Sequence, residues 1–179
     1  MKKLVVLVAM LAAASLAASS AVAGPLRAVG FEAGYVSPDF NGVQDASGTW
    51  VAGVFMDFGL PATNLYINPF VNYWNWSDGT GTSEVSFSDW SIGANLKFTI
   101  PTSAVRFQPF VAAGAAAHMT NVTQESLNFD EGDTKFGYQF GAGFKMGVSQ
   151  SASLVGSGWY SGVEDANNWS ARAGLAFSL

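Results

Sequence analysis

Between Asp89 and Phe98 every second residue is apolar. On an extended chain Trp90, Ile92, Ala94, Leu96 and Phe98 share one face, and Asp89, Ser91, Gly93, Asn95 and Lys97 share the other. The stretch 135–146 does the same, with Phe136, Tyr138, Phe140, Ala142, Phe144 and Met146 opposed to Lys135, Gly137, Gln139, Gly141, Gly143 and Lys145. Near the end, Ala171, Ala173, Leu175, Phe177 and Leu179 oppose Ser170, Arg172, Gly174, Ala176 and Ser178. Leu65, Ile67, Val71 and Tyr73 likewise oppose Asn68 and Asn72, whereas 153–162 is ambiguous and its faces stay unassigned. Side chains alternate across a strand, and a one-residue slip would turn every apolar group to the wrong side. The pattern therefore commits these stretches to strands with two chemically distinct faces.

The strands come in hairpins. Trp50–Val71 and Trp90–Val111 match at an offset of 40 residues, with Trp50 opposite Trp90, Phe58 opposite Phe98, Pro61 opposite Pro101 and Pro69-Phe70-Val71 opposite Pro109-Phe110-Val111. A repeating hairpin cannot bury its apolar face alone, so copies must stack or close up. Eight segments follow the pattern: 26–37, 47–58, 64–76, 85–99, 104–118, 134–148, 152–162 and 168–179. The connections alternate between short turns (59–63, 101–103, 149–151) and mostly longer loops rich in Asp, Glu, Asn and Gly (38–46, 77–84, 119–133, 163–167). That asymmetry is the habit of outer-membrane barrels, and an even strand number puts both termini on the short-turn, periplasmic side. Pro69 and Pro109 cannot donate to a ladder, so each is expected to mark a bulge.

A leader precedes the strands. Lys2-Lys3, the apolar run Leu4–Leu16 and Ala21-Val22-Ala23 before Gly24 read as a secretory signal peptide over 1–23, in preference to a membrane anchor. Residues 24–179 then form one barrel domain. No later apolar run reaches the ~18 residues a spanning helix needs. Inside lipid only helices and closed barrels satisfy every backbone group.

Charge placement tests that idea. Past the leader the basic residues are Arg27, Lys97, Arg106, Lys135, Lys145 and Arg172. Arg27 falls at the periplasmic rim and the other five on the polar face. The acids within strands, Glu32, Asp57 and Asp89, fall there too. Lys or Arg on a lipid face costs about 2–4 kcal/mol near the midplane. A soluble sheet would expose its charged face and bury the apolar one. Here the glycine-lined polar face fits a narrow lumen and the apolar face fits hydrocarbon. Trp50, Tyr73, Trp74, Trp76, Trp90, Phe136, Tyr138, Trp159, Tyr160 and Trp169 lie toward the loop ends, and Phe58, Phe98, Phe144 and Phe177 toward the turn ends. Aromatic residues at both levels make interface girdles, of which Trp50, Tyr73, Trp90, Tyr138 and Trp169 are the marked members.

Lumen charges must be paired. Glu32 and Arg172 are expected to pair if the first and last strands close the barrel. Lys97 and Arg106 face each other across a turn, so Asp57 is expected to bridge them. With Asp89, Lys135 and Lys145 these form a lumen charge network. An eight-stranded interior is just wide enough for side chains to fill, which favours a plug over an anion-preferring passage. Ten acids fall in the loops: Asp39, Asp45, Asp78, Glu84, Glu125, Asp130, Glu131, Asp133, Glu164 and Asp165. They could hold divalent cations against lipopolysaccharide, but their spacing fits no calcium loop, and solvated charge is the plainer reading. The acidic surface gives nucleic-acid binding no support. No cysteine is present, which excludes disulfides and thiolate metal sites. Nothing calls for a cofactor or metal. His118, the single histidine, has no partner that spacing reveals and reads as a lone lumen residue.

The whole chain past the leader resembles small eight-stranded outer-membrane barrels of the OmpA, OmpX and OmpW kind. More loosely it is similar to opacity-related surface proteins, often described as outer membrane protein beta-barrel or porin-like. The resemblance rests on the Pro-Phe-Val starts at Pro69 and Pro109 and on the stretch Arg172–Leu179. That stretch looks like the family's assembly signal, carried over to Gly174, Phe177 and Leu179. The family signal closes on an aromatic residue, whereas this chain ends in Leu179. Some barrel enzymes of similar architecture trim lipid A with a His–Ser pair two residues apart. Here the run is His118-Met119-Thr120, without the serine.

The sequence thus implies an all-β, eight-stranded antiparallel up-and-down transmembrane β-barrel of the bacterial outer membrane. The expected role is non-enzymatic, structural or in surface interaction. A small porin-like transport barrel for hydrophobic or anionic solutes is the alternative, and a lipid A-modifying enzyme a third. Expected partners are outer-membrane lipid and lipopolysaccharide, the barrel-assembly machinery, and a host or envelope ligand at the loops. A monomer is expected.

Overall fold

A computed structural model describes residues 26–40, 48–61, 64–78, 85–104, 106–124, 129–163 and 166–179. The leader 1–23 and half of the loop acids (Asp45, Glu84, Glu125, Glu164 and Asp165) lie outside these. The strands are β1 (Leu26–Phe40), β2 (Thr49–Gly59), β3 (Leu65–Asp78), β4 (Val85–Thr99), β5 (Phe107–Gln124), β6 (Phe129–Gly147), β7 (Ala152–Val163) and β8 (Ala166–Ser178). Each pairs antiparallel with the next, and β8 pairs with β1 from Ala28↔Ser178 to Phe40↔Ala166, closing the barrel. Among the described residues no helix is long and apolar enough to cross a membrane; a barrel crosses with strands.

The faces divide by chemistry. Phe136, Tyr138, Trp169 and Trp50 are exposed on the outside, with Phe136 at 81%. Asp57, Asp89, Asn95, Lys97, Gln139 and Arg172 are buried inside. In β7 the inward residues are Ser153, Val155, Ser157, Trp159, Ser161 and Val163. That strand was unreadable because its inward positions mix serine with apolar groups while its outward ones include Gly156 and Gly162. The reason for those glycines lies on the neighbouring strand. Phe144 is paired with Gly156 and Tyr138 with Gly162, and a Cβ on Gly156 would stand 2.8 Å from the Phe144 ring. The rings occupy the glycine gaps, as aromatic residues do across sheet glycines.

The interior is less polar than its glycines suggest. Phe55, Phe70, Phe110, Val155 and Trp159 form one buried cluster, and Val36, Val51, Trp74 and Trp76 form a second, with Phe87 packed against it. Trp74, Trp76 and Trp159 are therefore lumen residues rather than girdle residues. Trp50, Tyr73 and Trp90 do stand outside in a row, with ring centroids 5.7 and 4.6 Å apart, and Tyr160 meets Trp169 at 4.8 Å.

Neither proline makes a bulge. At Pro69 the β2–β3 ladder lapses between Phe55↔Phe70 and Phe58↔Ile67, yet the register is unchanged. The Asn68 Nδ2 donates to the Met56 carbonyl at 3.0 Å and fills part of the gap that a proline leaves. Pro109 is the third residue of β5; its carbonyl accepts from the Ile100 N–H at 2.8 Å, and its register with Phe144 is unbroken. The register shift occurs instead at Arg27, where Leu26↔Phe58 is followed by Ala28↔Asp57.

The expected 119–133 loop is mostly strand. β5 runs on to Gln124 and β6 begins at Phe129, paired from Gln124↔Phe129 inward. Alternation vanishes there because both faces of a strand standing clear of the bilayer meet water. β6 joins β7 only from Gly137↔Val163, and β3 joins β2 only from Val51↔Trp74. Among the described residues β3–β6 thus rise as a wall past the ends of β7 and β2 at the loop end.

Candidate functional site in the lumen

The inward side chains form layers. At mid-height Asn68 Nδ2 donates to Asp57 Oδ1 (2.9 Å), Asn95 Nδ2 to Asn68 Oδ1 (3.1 Å) and Gln139 Nε2 to Asn95 Oδ1 (2.7 Å). This chain of amides crosses from β2 to β6. Gly114 lies between Asn95 and Gln139 in register, and a Cβ there would stand 2.5 Å from Asn95 Oδ1. Only glycine lets the two amides meet over β5.

The cations are held from several sides. Lys97 Nζ pairs with Asp57 and lies 5.3–5.7 Å from the ring centres of Phe55, Tyr66 and Phe110, an arrangement in which aromatic faces attract a cation. Arg172 Nη1 donates to Glu32 Oε1 at 2.8 Å and its Nε to Ser170 Oγ at 3.0 Å, with the guanidinium 5.9 Å from Trp159. Both acids and both bases have largely buried side chains, and removing one partner of such a pair is costly. Mid-lumen space between these layers is about 20 Å³, room for about one water molecule.

Arg106 lies elsewhere. The structure places it in the turn before β5, exposed, with its backbone carbonyl accepting from Gly147 N at 2.8 Å. It precedes the strand that would have pointed it inward, and Asp57 engages Lys97 and Asn68 instead. Lys135 stands at the loop end opposite His118, and Lys145 at the turn end opposite Gln108. Of the terminal residues, Gly174 lies against the β1 backbone at Phe31, Phe177 faces outward near Phe31 (centroids 6.4 Å apart), and Leu179 N donates to Arg27 O at 3.1 Å.

His118 is not alone. Its Nδ1 lies 2.8 Å from Asp89 Oδ2, which also accepts from Trp74 Nε1 at 3.0 Å. Asp89 pairs with Thr120 and Ser91 with His118 in the ladder, so Asp89 and His118 are diagonal neighbours on one face. Spacing along the chain could not show this; a β4–β5 register would have. Among the described residues Asp89 Oδ1 and Asn72 Oδ1 have no hydrogen-bond partner, though both are buried. Histidine, acid and Ser91 are all buried beneath the Trp74–Trp76 cluster. Among the described residues no group of three His, Cys, Asp or Glu side chains could hold a metal.

Solved structures share this architecture. Neisserial surface protein A matches with a TM-score of 0.69 at 16% identity, over 85% of this chain and 96% of that one. The N-terminal barrel domain of Pseudomonas aeruginosa OprF matches at 0.56 and 16%, over 87% and 100%. The attachment invasion locus protein Ail of Yersinia pestis matches at 0.54 and 14%, over 86% and 99%. Likeness at these identities concerns the fold. A search of curated proteins by sequence finds no match. The family model described as "Outer membrane protein beta-barrel domain" matches residues 4–177. With the closed barrel and its inside-out division of apolar and charged residues, this shows that the chain belongs to the outer membrane protein beta-barrel domain family and resides in the bacterial outer membrane.

Proposed function

We propose that this barrel is a non-enzymatic surface-interaction protein with a plugged lumen, its turn end facing the periplasm. The raised β3–β6 wall carries this reading. Residues 129–136 of β6 pair with β5 on one side and have no β7 partner in the described ladder. An unpaired strand edge held clear of the lipid is a template for an extended peptide, with backbone bonds giving affinity. One Ail structure contains the heparin analogue sucrose octasulfate, a polyanion. The ten acids at the loop end of this chain favour the opposite sign, a basic partner segment. The Asp57–Lys97 and Glu32–Arg172 pairs, with the amide chain that runs from Asp57 to Gln139, serve as the plug. A closed barrel has no lateral edge, which suits a monomer in lipid and lipopolysaccharide. The end of β8, with Gly174, Phe177 and Leu179, is available to serve as the signal read by the barrel-assembly machinery.

The test uses purified protein in zwitterionic nanodiscs and a fluorescent lysine-rich peptide. Saturable binding that is lost when 121–132 is replaced by a tight turn is the expected result. Equal binding with the shortened hairpin contradicts the proposal. The transport alternative predicts steady open-channel current across a planar bilayer; the plugged lumen predicts none.

A further inference from the structure

We infer that the turn end of the lumen is a blind cup that binds a small oxyanion, a phosphate- or carboxylate-bearing solute, from the compartment the turns face. The cup has a volume of about 570 Å³ and is lined by Arg27, Asp57, Tyr66, Lys97, Gln108 and Lys145 among others. Its floor is the Lys97–Asp57 pair resting on Phe55 and Phe110, and the mid-lumen void beyond that floor is about 20 Å³. Solute can therefore enter and leave by the mouth alone.

Three cations line this cup with two acids: Asp57, which Lys97 already holds, and the terminal carboxylate of Leu179, which among the described residues is within ion-pair distance of no cation. Among the described residues neither Arg27 nor Lys145 lies within ion-pair distance of a carboxylate, and neither donates a hydrogen bond to a side chain. Elsewhere in this lumen the charges are matched, as in Arg172–Glu32. The lining keeps an excess of one positive charge, and Arg27 and Lys145 stand unpaired in one concave, half-enclosed space, which creates a positive potential that an anion relieves. The geometry at Arg27 points the same way. Alternation along β1 places Val29 and Phe31 outward, and Arg27 would follow them. The shift between Leu26 and Ala28 breaks that rule. The Arg27 side chain turns over the inner face of Gly59, where a Cβ would stand 3.1 Å from both Arg27 Cγ and Nε. Bulges at barrel rims commonly re-aim a side chain in this way. Arg27 thus supplies a planar fork and Lys145 a point charge, a pairing suited to oxyanions. The Gln108 amide and the Tyr66 ring complete the wall. This site is independent of the loop-end surface proposed above.

The experiment is a ¹⁵N NMR titration of the protein, folded in dodecyl maltoside at constant ionic strength, with inorganic phosphate and separately with acetate. Saturable shifts of Tyr66, Gln108 and Lys145 amides by either probe, absent with chloride, are expected. Arg27→Gln and Lys145→Gln are each expected to weaken binding about tenfold, as loss of one charge-assisted bond does. Lys135→Gln, at the opposite end of the lumen, is expected to leave it unchanged. Far-UV circular dichroism checks folding, and either cup variant alone suffices. Non-saturating shifts, shifts equal to those with chloride, or full affinity in both folded cup variants would overturn the inference.

Discussion

Glu32 and Arg172 come from opposite ends of the chain and meet only because β8 closes onto β1. Their side chains are 10% and 6% exposed, so each depends on the other. Arg172→Met leaves a buried carboxylate unmatched and is expected to cost about 3–5 kcal/mol in urea unfolding from bilayers. Adding Glu32→Met should recover most of that loss. If the double variant is as unstable as the single, the pair is not the source of the effect. The sequence made this pair legible because both residues lie on clean alternating strands. Arg106 was misread for the opposite reason. Its strand begins one residue later, and turn residues carry no face. Trp74, Trp76 and Trp159 were misread because a large aromatic near a strand end suits either a headgroup layer or a barrel interior. Only the parity of the full strand separates the two, and in β7 that parity was blurred by outward glycines.

At the scale of elements, the β5–β6 hairpin is the largest departure from expectation. Lipid imposes alternation only where one face touches hydrocarbon, so the pattern fades where the hairpin leaves the bilayer. Strand propensity in Val122 and Thr123 continues without it. Hydrogen exchange can locate the boundary. Between residues 137 and 147 amides pointing either way are bonded and should exchange slowly. Between 132 and 136 only those pointing toward β5 should be protected, giving an alternating profile. Uniform protection would mean that the edge is covered; uniform fast exchange would mean that the hairpin opens. The prolines teach a related point. Pro69 keeps its register because a neighbouring amide, Asn68, reaches the carbonyl it leaves unserved. The bulge of the β1–β2 ladder stands at Arg27, not at either mid-strand proline.

For the whole molecule, one physical rule generates the rest. Hydrocarbon outside admits apolar groups, and a narrow interior gathers charges that must find partners or form a site. Strand number, closure and most faces could be read from residues because that rule acts on every second position. The amide chain, the Asp89–His118 contact and the cup could not, because they depend on which strands face each other across the lumen. The rule can be measured on one strand. The chain contains no cysteine, so single cysteines can be placed from 135 to 146 in β6, spin-labelled, and reconstituted in a bilayer. Accessibility to oxygen, which concentrates in lipid, should peak at 138, 140, 142, 144 and 146, where β6 is paired with β7, and fall at each residue between. The inverse phase, or no two-residue period, would contradict the account.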